Sequence, residues 1–141
     1  MTEEDGKIIV MDEEFYSIVS TICTKDSRYH VEAYEFVMEA LGHAQKKYKK
    51  PKHVSGGELL EGIKGLLLKK FGPMSVAVLS YWGIKNTDDF GFIVFNLVEN
   101  NILSKAQQDS FESFKNAYDF EEVFNHGYRK QLAKRLKSMR F

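Results

Sequence analysis

The chain has 141 residues, with 20 basic and 20 acidic side chains, and one cysteine, Cys23. A chain of this length buries roughly two thirds of its unfolded surface, so it needs neither disulfides nor a structural metal to fold. Its 43% hydrophobic and 28% charged residues exclude disorder over most of the length, and its single cysteine excludes an intramolecular disulfide. We expect one helical domain over residues 1–141, located in the reducing cytoplasm.

The charges are segregated along the chain. Residues 1–14 hold six acids and one lysine, residues 46–52 hold five lysines and no acid, and residues 128–141 hold six bases and no acid. The apolar residues 8–11 are flanked by acids, which is typical of neither a signal peptide nor a transmembrane segment. The two charged ends are candidates for flexible termini that attract each other or a partner.

Apolar spacing of three and four predicts helices over residues 12–23 and 29–48. The next stretch, KKPKHVSGGELLEGIK at residues 49–64, has lysines and a Ser-Gly-Gly turn, but it lacks the glycine spacing of a phosphate loop. Ser55 and Glu58 instead have the spacing of a capping box, which predicts a helix start. A weak anion site at this start remains open, and its candidate residues are Lys49, Lys50 and Lys52.

The helix that begins there is predicted over residues 58–71. Gly62 and Gly65 lie one turn apart within it, and each costs about 1 kcal/mol relative to alanine, which indicates close approach of a neighbouring backbone. The Gly-Pro pair at residues 72–73 ends this helix and starts one over residues 73–82.

The segment at residues 88–100 is apolar on almost every side, which predicts a buried central helix capped by Thr87. Ser104 with Gln107 has the spacing of another capping box, and a further start near residue 119 leads into the basic end. No segment alternates with the period of a strand. The predicted class is all-α: a single compact bundle of about six helices with its central helix near residues 88–100.

Two further groups of side chains are candidates for binding. Glu35, Glu39 and His43 are spaced four apart on one helix and form a weak candidate metal site, although the same stripe is typical of a solvated face. The C-terminal segment places Leu132, Leu136 and Met139 on one face, which suits nucleic acid, a membrane surface, an acidic protein or plain solvent. Its bases are Arg129, Lys130, Lys134, Arg135, Lys137 and Arg140.

Several strings are similar to those of a known family. They are RYHVEAYEFVMEAL (28–41), HVSGGELLEGI (53–63), FGPM (71–74), WGI (82–84), TDDFGFIVFNLVE (87–99) and YDFEEVF (118–124). Over roughly residues 10–125 the chain resembles a family of small bacterial proteins without assigned activity, known mainly from planctomycete and verrucomicrobial genomes. The resemblance implies a bacterial cytoplasmic protein and transfers no catalytic or binding residue.

The sequence therefore favours a non-catalytic intracellular protein-interaction or adaptor domain whose partner is another protein. The alternative is a nucleic-acid-binding protein that uses the basic C-terminal helix. A third hypothesis is a small metal-binding protein or enzyme built around Glu35, Glu39 and His43. We predict no catalytic residue, no bound metal and no cofactor.

Overall fold

The computed structural model describes residues 13–108 and 111–139. Over these residues the protein is all-α, as predicted, with no strand, and it has five α-helices of 13 to 17 residues and one of seven. There are thus five long helices rather than six. Their bounds are α1 Glu13–Lys25, α2 Val31–Lys47, α3 Gly56–Phe71, α4 Ser75–Tyr81, α5 Thr87–Glu99 and α6 Gly127–Met139.

Among the described residues, helices α2 and α3 make the most extensive contact between two elements. A Cβ atom added at Gly62 would lie 2.9 Å from Ala44 Cβ and 3.2 Å from Ala40 O, so the missing side chain is what lets the helices approach. A Cβ at Gly65 would meet only His43 Nε2, at 3.9 Å. The predicted close approach is confirmed at Gly62 and wrong at Gly65.

The start of α3 is the capping box that the sequence predicts. The Glu58 N–H donates to Ser55 Oγ at 3.0 Å, and the Ser55 N–H donates to Glu58 Oε1 at 2.9 Å. These two bonds satisfy amides that a helix otherwise leaves without partners.

The start of α5 differs from the prediction. Asn86, not Thr87, is the N-cap residue. The buried Thr87 hydroxyl donates to Phe114 O at 2.7 Å and accepts from the Ala117 N–H at 2.9 Å. Thr87 therefore ties the loop after α5 to the first turn of that helix, a contact that local spacing cannot indicate.

The core is one hydrophobic cluster that α5 enters with Phe90, Ile93 and Leu97 fully buried. The predicted central helix is confirmed in this respect. Phe95, however, is 40% exposed, so α5 has one face at the surface instead of being enclosed on all sides.

The chain reaches α6 through a π-helix, Glu121–His126. Its entry is marked by the Glu122 N–H, which donates to Asp119 Oδ1 at 2.9 Å, and it is anchored in the core by the fully buried Phe124. α6 makes its main contacts with this π-helix. Residues 1–12, which hold most of the acidic end, and Arg140 lie outside the described residues.

Candidate interaction surface

α6 exposes the basic side chains that the sequence singles out. The helix contains five bases and no acid. A helix with charges of one sign carries a strong local potential, which favours an anionic partner. The exposed bases are Arg129, Lys130, Lys134, Arg135 and Lys137.

The same helix carries an exposed apolar stripe. Leu132 is 37% exposed, Leu136 47% and Met139 54%. Because their spacing is i, i+4 and i+7, the three side chains share one face of α6. At 3.6 residues per turn, Arg129 and Arg135 fall at the two edges of this stripe. The three side chains thus form an exposed apolar stripe bordered by bases.

The lysines before α3 form a separate feature. Lys50 Nζ lies 3.0 Å from Glu58 Oε2, and backbone and lysine hydrogen bonds hold the pKa of Glu58 below its ordinary value. A carboxylate thus occupies the helix start where an anion would bind. Lys49 and Lys52 are exposed, and no hydrogen bond or ion pair between described residues joins this loop to α6.

The candidate metal residues lie on α2, where Glu35 and Glu39 line an acidic cleft. The cleft encloses about 250 Å³. Glu39 Oε1 is 2.8 Å from Lys70 Nζ, and Trp82 Nε1 donates to Glu32 Oε1 at 3.3 Å. Its lining residues are Glu32, Glu35, Glu39, Lys70, Phe36, Phe71 and Trp82.

His43 does not line this cleft, because it lies further along α2 beside Gly65. Among the residues that the structure describes, no group of three or more histidine, cysteine or acidic side chains is arranged to hold a metal ion. The cleft thus presents an acidic surface.

The floor of the acidic cleft is aromatic. The ring centroids of Phe36 and Trp82 are 5.1 Å apart, and those of Phe71 and Trp82 are 5.9 Å apart. Phe36 and Trp82 are buried, whereas Phe71 is half-buried. Packed rings of this kind hold the wall of the cleft in place.

A polar network between the α1–α2 turn and α5 is absent from the sequence predictions. Tyr29 Oη donates to Asp89 Oδ1 at 2.5 Å. Asn96 Nδ2 donates to Tyr34 Oη at 2.9 Å and to Asp26 Oδ2 at 3.1 Å. The pairs are 60 or more residues apart in sequence, so only the folded chain brings them together. The one available signal is Asn96, a polar residue inside an apolar helix.

Burial and these hydrogen bonds shift the ionisation of the network. Burial raises the pKa of Tyr29 and raises that of Tyr34 to about 12. Hydrogen bonds from the Arg28 guanidinium hold the pKa of Asp26 well below its ordinary value. At neutral pH the two tyrosines are therefore uncharged and Asp26 is charged. In these states their hydrogen bonds hold the α1–α2 turn against α5.

A second cleft, of about 410 Å³, lies beside this network and contains Cys23. The thiol donates to Tyr29 O at 3.5 Å, and burial raises its pKa, which disfavours the thiolate. His30 in the same cleft uses Nδ1 to accept the Glu32 N–H and stacks on Tyr81 with ring centroids 5.0 Å apart. Both side chains are occupied in structural roles.

Comparison with known proteins finds no matching family model, no matching curated protein and no matching solved structure. None of the described helices combines the length and the apolar character needed to cross a bilayer.

Proposed function

We propose that the protein is a non-catalytic interaction or adaptor domain that docks onto another protein through α6. The observation that carries this proposal is the exposed stripe of Leu132, Leu136 and Met139 on a helix with five bases and no acid. Helix-in-groove recognition uses apolar anchors at this spacing. The flanking bases favour a groove with an acidic rim, because complementary charges accelerate docking and exclude wrong partners.

The energetics support a specific but moderate contact. Complete burial of a leucine or methionine side chain contributes about 1.5–3 kcal/mol relative to full exposure. Because the three side chains are about half exposed, their combined gain is on the order of 3 kcal/mol. A protein groove can bury the three side chains and obtain this free energy, whereas a phosphate backbone offers no apolar surface to bury them.

Affinity capture from the protein's own cells tests the proposal. The extract is treated with nuclease, and the bait is compared with the variant Leu132→Ser/Leu136→Ser. The matched control is Gln131→Ala/Ser138→Ala, which changes the other side of α6 without changing its charge. We expect a partner protein in near-stoichiometric amount with the wild type and the control, and its loss with the stripe variant. Equal retention by all three baits contradicts the proposal.

Nucleic-acid binding is the second candidate, favoured by the five bases of α6 alone. If all five contact phosphates of duplex DNA, log K falls against log salt with a slope of roughly −4.5. Measured duplex affinities over a salt titration test this candidate. A slope near zero contradicts it.

We also propose a cellular compartment and a family for the protein. The single cysteine supports a cytoplasmic protein. The quoted strings support membership of the small bacterial family that the chain resembles. We do not propose metal binding, because His43 lies outside the cleft that Glu35 and Glu39 line.

A further inference from the structure

We propose that α6 docks onto the acidic cleft of α2 in a second copy of this chain. The inference rests on the proposed function, since it names a partner for the same helix. The basic helix and the acidic cleft both belong to this one chain, and the structure describes both. The acidic cleft is defined here by Glu32, Glu35 and Glu39 over the rings of Phe71 and Trp82.

Charge complementarity is the first step. The cleft has three carboxylates and one lysine, Lys70, whereas α6 has five bases and no acid. Glu39 is paired with Lys70 and Glu32 accepts from Trp82. Among the described contacts, the Glu35 carboxylate has neither an ion pair nor a hydrogen bond, so it is the group best placed to accept an arginine from another molecule.

The dimensions of the two surfaces match. Glu32 to Glu39 and Leu132 to Met139 each cover seven helical steps, which is about 10 Å. Two helices lying side by side therefore bring the whole apolar stripe over the cleft. In this arrangement the half-buried Phe71 would contact the stripe, and Arg129 and Arg135 at its edges would lie near the carboxylates.

Symmetry decides how many copies assemble. If α6 of each molecule binds the cleft of the other, the pair closes with twofold symmetry and no surface is left open. One-way docking would leave a free helix and a free cleft and would form chains. We therefore expect a reciprocal dimer. Within one molecule, none of the hydrogen bonds or ion pairs of the described residues connects α6 to α2.

Sedimentation of the purified full chain over a range of concentrations provides the test. The wild type should show a monomer–dimer equilibrium that weakens as salt is raised, because the contact is partly ionic. Glu35→Lys and Arg135→Glu should each weaken the dimer roughly tenfold, since each change acts at both symmetric contacts. An equimolar mixture of the two variants should recover dimerisation, because the exchanged charges then face each other.

Lys130→Glu, on the opposite side of α6 from the stripe, is the matched control and should change dimerisation much less. Circular dichroism of every variant confirms that the fold is unchanged. The inference is overturned if the wild type stays monomeric or if Glu35→Lys leaves the dimer dissociation constant unchanged. Neither result contradicts the proposed function. The capture experiment tests that function separately, because it uses the stripe variant and a cell extract.

Discussion

At the scale of single residues, Gly62 and Gly65 are chemically alike but differ in surroundings. Gly62→Ala places a methyl group 2.9 Å from Ala44 Cβ, so α2 and α3 must move apart. We expect a loss of about 1–3 kcal/mol in the free energy of unfolding. Gly65→Ala meets no such contact and should gain up to about 1 kcal/mol from helix propensity. Urea unfolding of both variants measures the difference, and equal signs would contradict this account.

Two buried tyrosines and the half-buried Tyr118 predict how the stability of the protein changes in alkali. Burial raises the pKa values of Tyr29 and Tyr118 and brings that of Tyr34 to about 12. A tyrosine in the unfolded chain ionises near pH 10, whereas these three keep their protons in the folded state. Their contribution to stability is therefore complete below about pH 10 and declines as the pH rises through the folded values.

The slope expected from each tyrosine is about 1.4 kcal/mol per pH unit above pH 10. Urea unfolding at a series of alkaline pH values measures it. Tyr118→Phe removes one ionising group and the hydrogen bond to Leu60 O, which is 2.9 Å long. That variant should be less stable at neutral pH and should show a shallower alkaline slope. An unchanged slope would show that Tyr118 ionises alike in both states.

At the scale of elements, Gln107 joins the 3-10 segment Lys105–Gln108 to the start of α3. Its amide oxygen accepts the Val54 N–H at 3.2 Å, and its amide nitrogen donates to Val54 O at 2.8 Å. The sequence predicts instead a capping pair between Gln107 and Ser104. That prediction is wrong, because the Gln107 side chain bonds the buried backbone N–H and C=O of Val54, which would otherwise lack partners.

Gln107→Ala should cost about 2–4 kcal/mol, because it leaves a buried donor and a buried acceptor of Val54 without partners. Gln45→Ala is the matched control, since it removes only an exposed bond to Lys52 O. The control should change stability by less than about 0.5 kcal/mol. Thermal or urea unfolding distinguishes the two, and similar effects in both would contradict the role given to Gln107.

Local patterns predict these elements well where the cause is itself local. The Ser55–Glu58 box and the Gly-Pro stop after Phe71 were both predictable because each acts within one helical turn. Thr87 and Gln107 were not, since their partners lie 27 and 53 residues away. Side chains of this kind become structural only after the chain has folded around them.

At the scale of the whole molecule, the same division applies to the candidate site. The bases of α6 are visible in the sequence, and the structure places them together on one exposed helix. The acidic cleft is not visible, because Phe71 ends α3 and Trp82 follows α4, and only tertiary packing brings them beside Glu35. The sequence accordingly presented Glu35 and Glu39 as metal candidates or as a solvated stripe.

α6 contacts the rest of the protein mainly through the π-helix that precedes it. Thirteen residues of α-helix extend about 20 Å from the π-helix. A turn of only about 15° at that joint would carry the far end sideways through roughly 5 Å. Such a turn would move the exposed stripe across a binding surface while α1 to α5 keep their packing.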